Sequence, residues 1–326
     1  MLGREICHLQ PGVDLRKRGS SLTAKAASAE RGFASRASGE ELKTAFAYCL
    51  QKVRKYDNDN FICSLQLKPE LRAAVLALRA FNVETGLIGE NVREQTLAQI
   101  RMQWWREAVN GMYRQTPHEH PVIQALTEVI AVKDLTRYRL QQIVTAREDD
   151  LLRIAPPASI ADLEKYGRDT AAQLLLLQLE AADVRERAEV EHAALHLGQA
   201  QGITSLLRGT HYHAARRRSY LPTDLCKQEK VTHEQLFRGE SSEALCNVVF
   251  EVASVAKGHL EEARRLRSSL PPIARLLMLP AVSVGLYLDA LESSNFDAFA
   301  QKILKGAYSP LWHQASVKFS SLKGTY

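Results

Sequence analysis

The chain has 326 residues, 45% of them hydrophobic and 25% charged, a composition that argues against both an intrinsically disordered chain and a polytopic membrane protein. Its formal net charge is +6; without residues 1–33, which hold six Lys/Arg and three Asp/Glu, it would be +3, too small an excess to point to a nucleic-acid partner. The five cysteines, Cys7, Cys49, Cys63, Cys226 and Cys246, show no CxxC or paired spacing, which argues against a disulfide framework and suits a reducing compartment.

Taken in chain order, the first 40 residues scatter Arg4, Arg16, Lys17, Arg18, Lys25, Arg31 and Arg36 among Ser, Ala and Gly, with no apolar block long enough for a secretory signal. An Arg-rich, Ser/Ala-rich leader suits mitochondrial import. Within "ERGFASRAS", Arg31 and Phe33 fit the processing pattern that would leave Ala34 as the new terminus. The sequence therefore predicts a mitochondrial targeting segment over 1–33, a linker over 34–44 and one helical domain over 45–326. Glu5, Asp14 and Glu30 speak for the alternative, a plain polar tail.

From residue 45 the apolar spacing is helical. In "LAQIRMQWWREAVNGMY" the stripe Leu97, Ile100, Trp104, Ala108, Met112 predicts the buried face, with Trp105 and Val109 beside it. Leu126, Val129 and Ile130 mark the next helix, and Leu140, Ile143, Val144 and Leu151 the one after. The series Leu245, Val249, Val252, Ala256, Leu260, Ala263 predicts a long uninterrupted helix. Breaks fall at "KYDNDN", "QTPHEHP", "APPAS", "RRRSYLPTD", "SSLPP" and "ESSNFD", clusters of Pro, Asn, Asp and Ser. No alternating strand pattern intervenes, so the chain is predicted to be all-α. The longest apolar run, "LLMLPAVSVGLYL" from Leu276, is interrupted by Pro280 and too short for a bilayer of about 30 Å; it reads as a buried helix, with a peripheral membrane contact as the other option.

Four sets of residues could carry chemistry. His211 and His213, two apart, point to opposite sides of a helix and lack a third ligand, so they make a polar helix end sooner than a metal site. Arg216, Arg217 and Arg218 could grip a phosphate or an anionic lipid headgroup, or lie solvated. Asp149 and Asp150 are adjacent, diverge on a helix, and read as capping or solvated. Trp104 and Trp105 read as core aromatics, one of which could face a partner or lipid.

Three segments carry a family resemblance. "LKPELRAAVLALRAF", "DDLLRIAPPASIADLEKYGRDTAAQLL", and "LGQAQGITSLLRG" followed by "RRRSYLP" are similar, in this order and spacing, to the squalene/phytoene synthase family over residues 45 to 300. The resemblance implies a single-domain helical bundle around a central cavity. It also implies two aspartate motifs on facing helices that hold Mg²⁺ against a diphosphate leaving group. Those acids are largely missing here. The first motif falls on Asn82, Glu84, Gly86, Leu87 and Glu90, of which Glu84 and Glu90 could keep a weak cation site, with Glu84 and Asn82 otherwise polar residues of the old cavity. The second motif falls on Gly209 and His213. Neither Gly86 nor Gly209 has a ligating side chain, and neutral imidazole is a poor ligand for a hard cation.

The expectation is therefore a pseudoenzyme without catalytic residues, metal or cofactor. The substitution pattern resembles a non-enzymatic, mitochondrial branch of the family that serves assembly of respiratory complex I. That resemblance implies partners among complex I subunits or assembly intermediates, a matrix location peripheral to the inner membrane, and no nucleic acid. Two other readings stay open: a prenyltransferase whose ligands lie elsewhere in the chain, and an isoprenoid- or lipid-binding protein that uses the cavity.

Overall fold

A computed structural model describes residues 39–92, 94–184 and 187–326. The predicted targeting segment, 1–33, and the first part of the predicted linker lie outside the described residues. A helix, α1 (Gly39–Tyr56), begins within the stretch expected to be linker and buries Ala45, Cys49 and Val53. Leu42–Tyr326 forms one compact unit.

No strand occurs among the described residues. After α1 come α2 (Asn58–Ser64), α3 (Pro69–Asn91), α4 (Gln95–Tyr113), α5 (Pro121–Val132) and α6 (Arg137–Leu152). Then α7 (Ile160–Gly167) runs through a π-helical turn, Arg168–Ala172, into α8 (Gln173–Ala181), and α9 (Ala188–Arg208) follows. Short helices α10 (Thr210–Ala214), α11 (Thr223–Gln228) and α12 (His233–Arg238) lead to α13 (Glu243–Arg265). The chain closes with α14 (Pro272–Leu277), α15 (Pro280–Glu292), α16 (Gln301–Leu304) and α17 (Pro310–Lys323).

The helix ends follow from local chemistry. Prolines open α3, α5, α15 and α17, where a missing N–H costs nothing. Ser242 and Ser309 accept the N–H groups of Leu245 and Trp312, capping α13 and α17. Thr232 and Gln235 form a capping box on α12, which Gly239 ends at φ +70°.

Two core clusters lie side by side. One gathers α1, α3, α4, α5 and α6; the other gathers α7, α9, α13 and α15. Helix α8 divides them: Leu174 and Leu177 face the first cluster, Leu175, Leu176 and Leu179 the second. That is why "LLLLQL" is apolar all round. The predicted series on α13 is buried throughout. The run "LLMLPAVSVGLYL" is split by Pro280 between α14 and α15 and lies in the core, with only Leu276 and Leu286 half-buried, so it offers no face to a membrane.

The face predicted for α4 is a correction. Leu97 and Ile100 are 49% and 60% exposed, while Ala98, Met102, Trp105, Val109 and Met112 form the buried stripe. The helix is turned by about one residue, roughly 100°. Trp105 lies edge-on to Phe81 of α3 at 5.4 Å, an aromatic anchor that outweighs two aliphatic side chains at the helix start.

A second close contact sets the centre of the bundle. A Cβ on Gly198 would stand 2.2 Å from Cα of Ala172, and one on Gly202 would stand 2.4 Å from Cα of Gly167. The two glycines are one turn apart on α9, so the backbones of α9 and the α7/π segment touch there. This crossing brings α9 against the wall of a cavity lined also by α3 and α6.

Candidate functional site

The cavity lies between α3, α6, the π turn, α9 and the segment after α10, and has a volume of about 450 Å³. Its α3 wall is made of Asn82, Gly86 and Gly89, which share one face of the helix. Small residues there let α6 approach: a Cβ on Gly86 would stand 2.7 Å from Nη1 of Arg147, and one on Gly89 2.7 Å from Cδ2 of Leu151. Arg147 Nη2 donates to Oδ1 of Asn82 at 2.6 Å. Its Nε is buried without a partner, and among the described residues no carboxylate pairs with it.

Opposite, the segment after α10 supplies further cations. Arg218 Nη2 donates to the main-chain oxygen of Asp150 at 3.1 Å and lies 3.6 Å from its carboxylate. The same carboxylate accepts from Tyr220 Oη at 2.7 Å and from Arg153 at 2.5 Å. Burial, and then the Asp150 charge, pushes the Tyr220 phenol up, so it stays a donor. The Arg216 guanidinium stacks over the Tyr212 ring at 3.5 Å. Burial and then the Glu90 charge raise the Tyr212 phenol. At the floor, Arg79 is buried and pairs with Asp57 at 3.0 Å, while Asn60 donates to the other Asp57 oxygen at 2.6 Å.

His213 packs against Tyr220, ring centroids 4.7 Å apart, and its ring fills the space that a side chain on Gly209 would need, with Nε2 2.6 Å from a Cβ built there. Burial, and then the Arg218 charge, lowers its pKa to about 4, so the ring is neutral near pH 7. Four guanidiniums, of Arg79, Arg147, Arg216 and Arg218, thus face the cavity, and its carboxylates Asp57, Asp150 and Glu90 already hold partners of their own. Such a lining favours an anion or a polar group over a cation.

The structure separates several residues that the sequence grouped. Glu84 does not line this cavity. It sits on another face of α3, where it pairs with Lys52 at 2.9 Å and accepts from Tyr48 at 2.5 Å beside His120. Six positions along α3 turn the helix by about 240°, so Glu84 and Glu90 share no cation site. Asn82, Gly86, Leu87, Glu90, Gly209 and His213 do gather in one region, Leu87 at the rim. His211 is exposed and apart from His213. The basic run divides: Arg216 and Arg218 line the cavity, whereas Arg217, at φ +55°, turns outward to Glu234 at 3.0 Å. Asp149 is exposed, but Asp150, expected to be capping or solvated, is the acceptor at the heart of the Arg218–Tyr220–Arg153 cluster. Trp105 is buried, and Trp104 is half-buried against His118 and His120.

Sequence reasoning missed Arg147, Tyr212, Tyr220 and the Arg79–Asp57 pair. The one available signal was spacing: Arg147 and Leu151, one turn apart on α6, match the small residues Gly86 and Gly89 on α3.

An all-α bundle with a cavity bounded by α3, α6 and α9 is the architecture of the isoprenoid synthases. The family profile described as squalene/phytoene synthase matches residues 53–313, and the chain belongs to that family. Among solved structures, a dehydrosqualene synthase in complex with ligand superposes with a TM-score of 0.74 at 20% identity, over 87% of this chain and 98% of that one. Within the family the chain is similar to NADH dehydrogenase (ubiquinone) complex I, assembly factor 6 of Rattus norvegicus, 38% identical over 272 residues, 83% of this chain and 81% of that protein. Phytoene synthase 1, chloroplastic, of Arabidopsis thaliana is more distant, 23% identical over 292 residues, 85% of this chain and 68% of that protein.

Proposed function

We propose that this protein is a mitochondrial factor for the assembly of respiratory complex I, built on a prenyl-synthase fold and without prenyl-transfer activity. The observation that carries the reading is the 38% identity, over most of both chains, to a protein named for that role, against 23% to a phytoene synthase. Residues 1–33 serve as its import segment. It works in the matrix, peripheral to the inner membrane, on complex I subunits or assembly intermediates. No helix among the described residues is long and apolar enough to cross a membrane, which accords with a peripheral position.

The cavity supports the non-enzymatic part of the reading. Magnesium, which the family's chemistry uses, does not fit the residues present. Gly86 and Gly209 offer no ligand, Leu87 is apolar, and His213 is a neutral imidazole. Arg147 occupies the space beside Gly86 with a fixed positive charge. Without metal ions to take up charge on a leaving diphosphate, several kcal/mol of transition-state stabilisation are missing. An isoprenoid-binding role is less well supported, because a hydrocarbon tail in this cavity would lie against guanidiniums and carboxylates that it would have to desolvate.

The experiment that tests the reading compares assembled complex I in cells with and without the protein. Selective loss of complex I on removal is the expected result; unchanged complex I would overturn the reading.

A further inference from the structure

The largest concentration of exposed apolar side chains lies outside the cavity lining, on α17. Leu311 is 78% exposed, Leu322 74%, Trp312 61% and Phe319 57%. At about 100° per residue, Leu311, Leu322, Ala315, Phe319 and Trp312 fall within one arc of roughly 100°. His313 and Val317, on the opposite side, are fully buried and fix the helix to the domain; His313 Nε2 lies 2.7 Å from Ser283 Oγ of α15. The apolar arc therefore points outward.

Its borders are basic. Lys318 and Lys323 stand on the two sides of the arc, and "PLWHQASVKFSSLK" has no acidic residue. Lys323 lies over the Phe319 ring at 4.1 Å, its stem along the apolar face and its ammonium at the edge. The groove beside the helix, between Leu311, Ala315 and Lys318 on one side and Phe61, Leu65 and Arg54 on the other, adds a third cation and no carboxylate. The surface that covers this arc must be apolar at its centre and negative at its margin.

We infer that α17 is the surface by which this protein lies on an anionic membrane, its Leu, Trp and Phe side chains among the acyl chains and its lysines level with the lipid phosphates. An outward-facing helix with an exposed tryptophan and flanking lysines suits the interface between headgroups and hydrocarbon. At 14 residues, about 21 Å long, the helix would lie in the plane of the interface and not across it. The inference deepens the peripheral position proposed above and rests on it.

The test is flotation of the full chain with phosphatidylcholine vesicles, with and without cardiolipin, at low and high salt. The wild type is compared with Trp312→Ser/Phe319→Ser and, because the first pair could disturb folding, with Lys318→Glu/Lys323→Glu, whose side chains only border the face. Circular dichroism verifies that each is folded. The inference predicts binding to the cardiolipin vesicles only, weakened by salt, and lowered about tenfold or more in both variants. If the wild type binds and folded variants bind equally, α17 is not the attachment surface, while peripheral association stands. If the wild type binds neither vesicle, both fail. If the variants keep membrane binding in cells and lose complex I intermediates, the face belongs to a protein partner and the inference is overturned.

Discussion

The guanidinium of Arg147 stands where a side chain at residue 86 would project: a Cβ on Gly86 would lie 2.7 Å from its Nη1. Glycine at 86 and arginine at 147 are thus a single packing unit. Returning a carboxylate by Gly86→Asp would place it against this cation and not beside a metal ion. The double variant Gly86→Asp/Gly209→Asp is therefore expected to release no diphosphate from farnesyl diphosphate with Mg²⁺ above the wild-type level. Release that depends on Mg²⁺ would mean that Arg147 moves aside and that the missing acids alone had silenced the site.

The fold was legible because helical periodicity survives wherever one face is buried, as on α13, and because Pro, Ser and Asn clusters mark many of the breaks, though not those at 133–136 and 229–232. It failed where two stripes competed. On α4, Leu97 and Ile100 looked like core, but only the tertiary anchor of Trp105 on Phe81 decides the rotation. The cavity positions on α3 and α10 could be located along the chain, but what fills the cavity could not. Arg147 and Asp150 reach it from α6, some 60 residues further on, and nothing local in "TAREDDLL" says which charges point inward. Glu84 shows the converse: a residue near the motif in sequence faces another neighbourhood on the helix.

The crossing of α9 over the π turn makes Gly198 and Gly202 sensitive positions. Each methyl would meet backbone at 2.2 to 2.4 Å, which no rotamer change relieves. Gly198→Ala and Gly202→Ala are each expected to lower stability by about 2 kcal/mol or more, read from urea unfolding midpoints. Gly258, with open space around its would-be Cβ, is the control: Gly258→Ala on exposed α13 surface should be neutral or slightly stabilising.

His213 gives a pH signature. Its pKa falls from 6.5 to about 4 on folding, so the unfolded chain takes the proton first. The stabilisation from keeping the ring neutral is complete above about pH 6.5 and is lost progressively as pH falls toward 4. Wild type should lose on the order of 1 kcal/mol more stability than His213→Gln between pH 7 and pH 5. Equal losses in the two proteins would place the ring in solvent.

The cysteines should differ in reactivity. Burial pushes Cys49 and Cys63 up to about 12 and Cys226 up to about 11, so their thiolates are scarce at neutral pH. Cys246 is half-exposed. Iodoacetamide followed by peptide mass spectrometry should find Cys246 modified first among these four, with the other three reacting only after denaturation.

The central claim is that the fold serves complex I assembly without the family's metal-dependent chemistry. The most direct measurement is assembled complex I, by native gel with in-gel NADH dehydrogenase staining, in cells lacking the protein and in the same cells expressing wild type or Glu90→Gln. Glu90 is the last acid at the predicted first-motif positions that still borders the cavity. The account predicts selective loss of complex I and equal restoration by both forms. Unchanged complex I without the protein, or a failure of Glu90→Gln alone to restore it, would contradict the account.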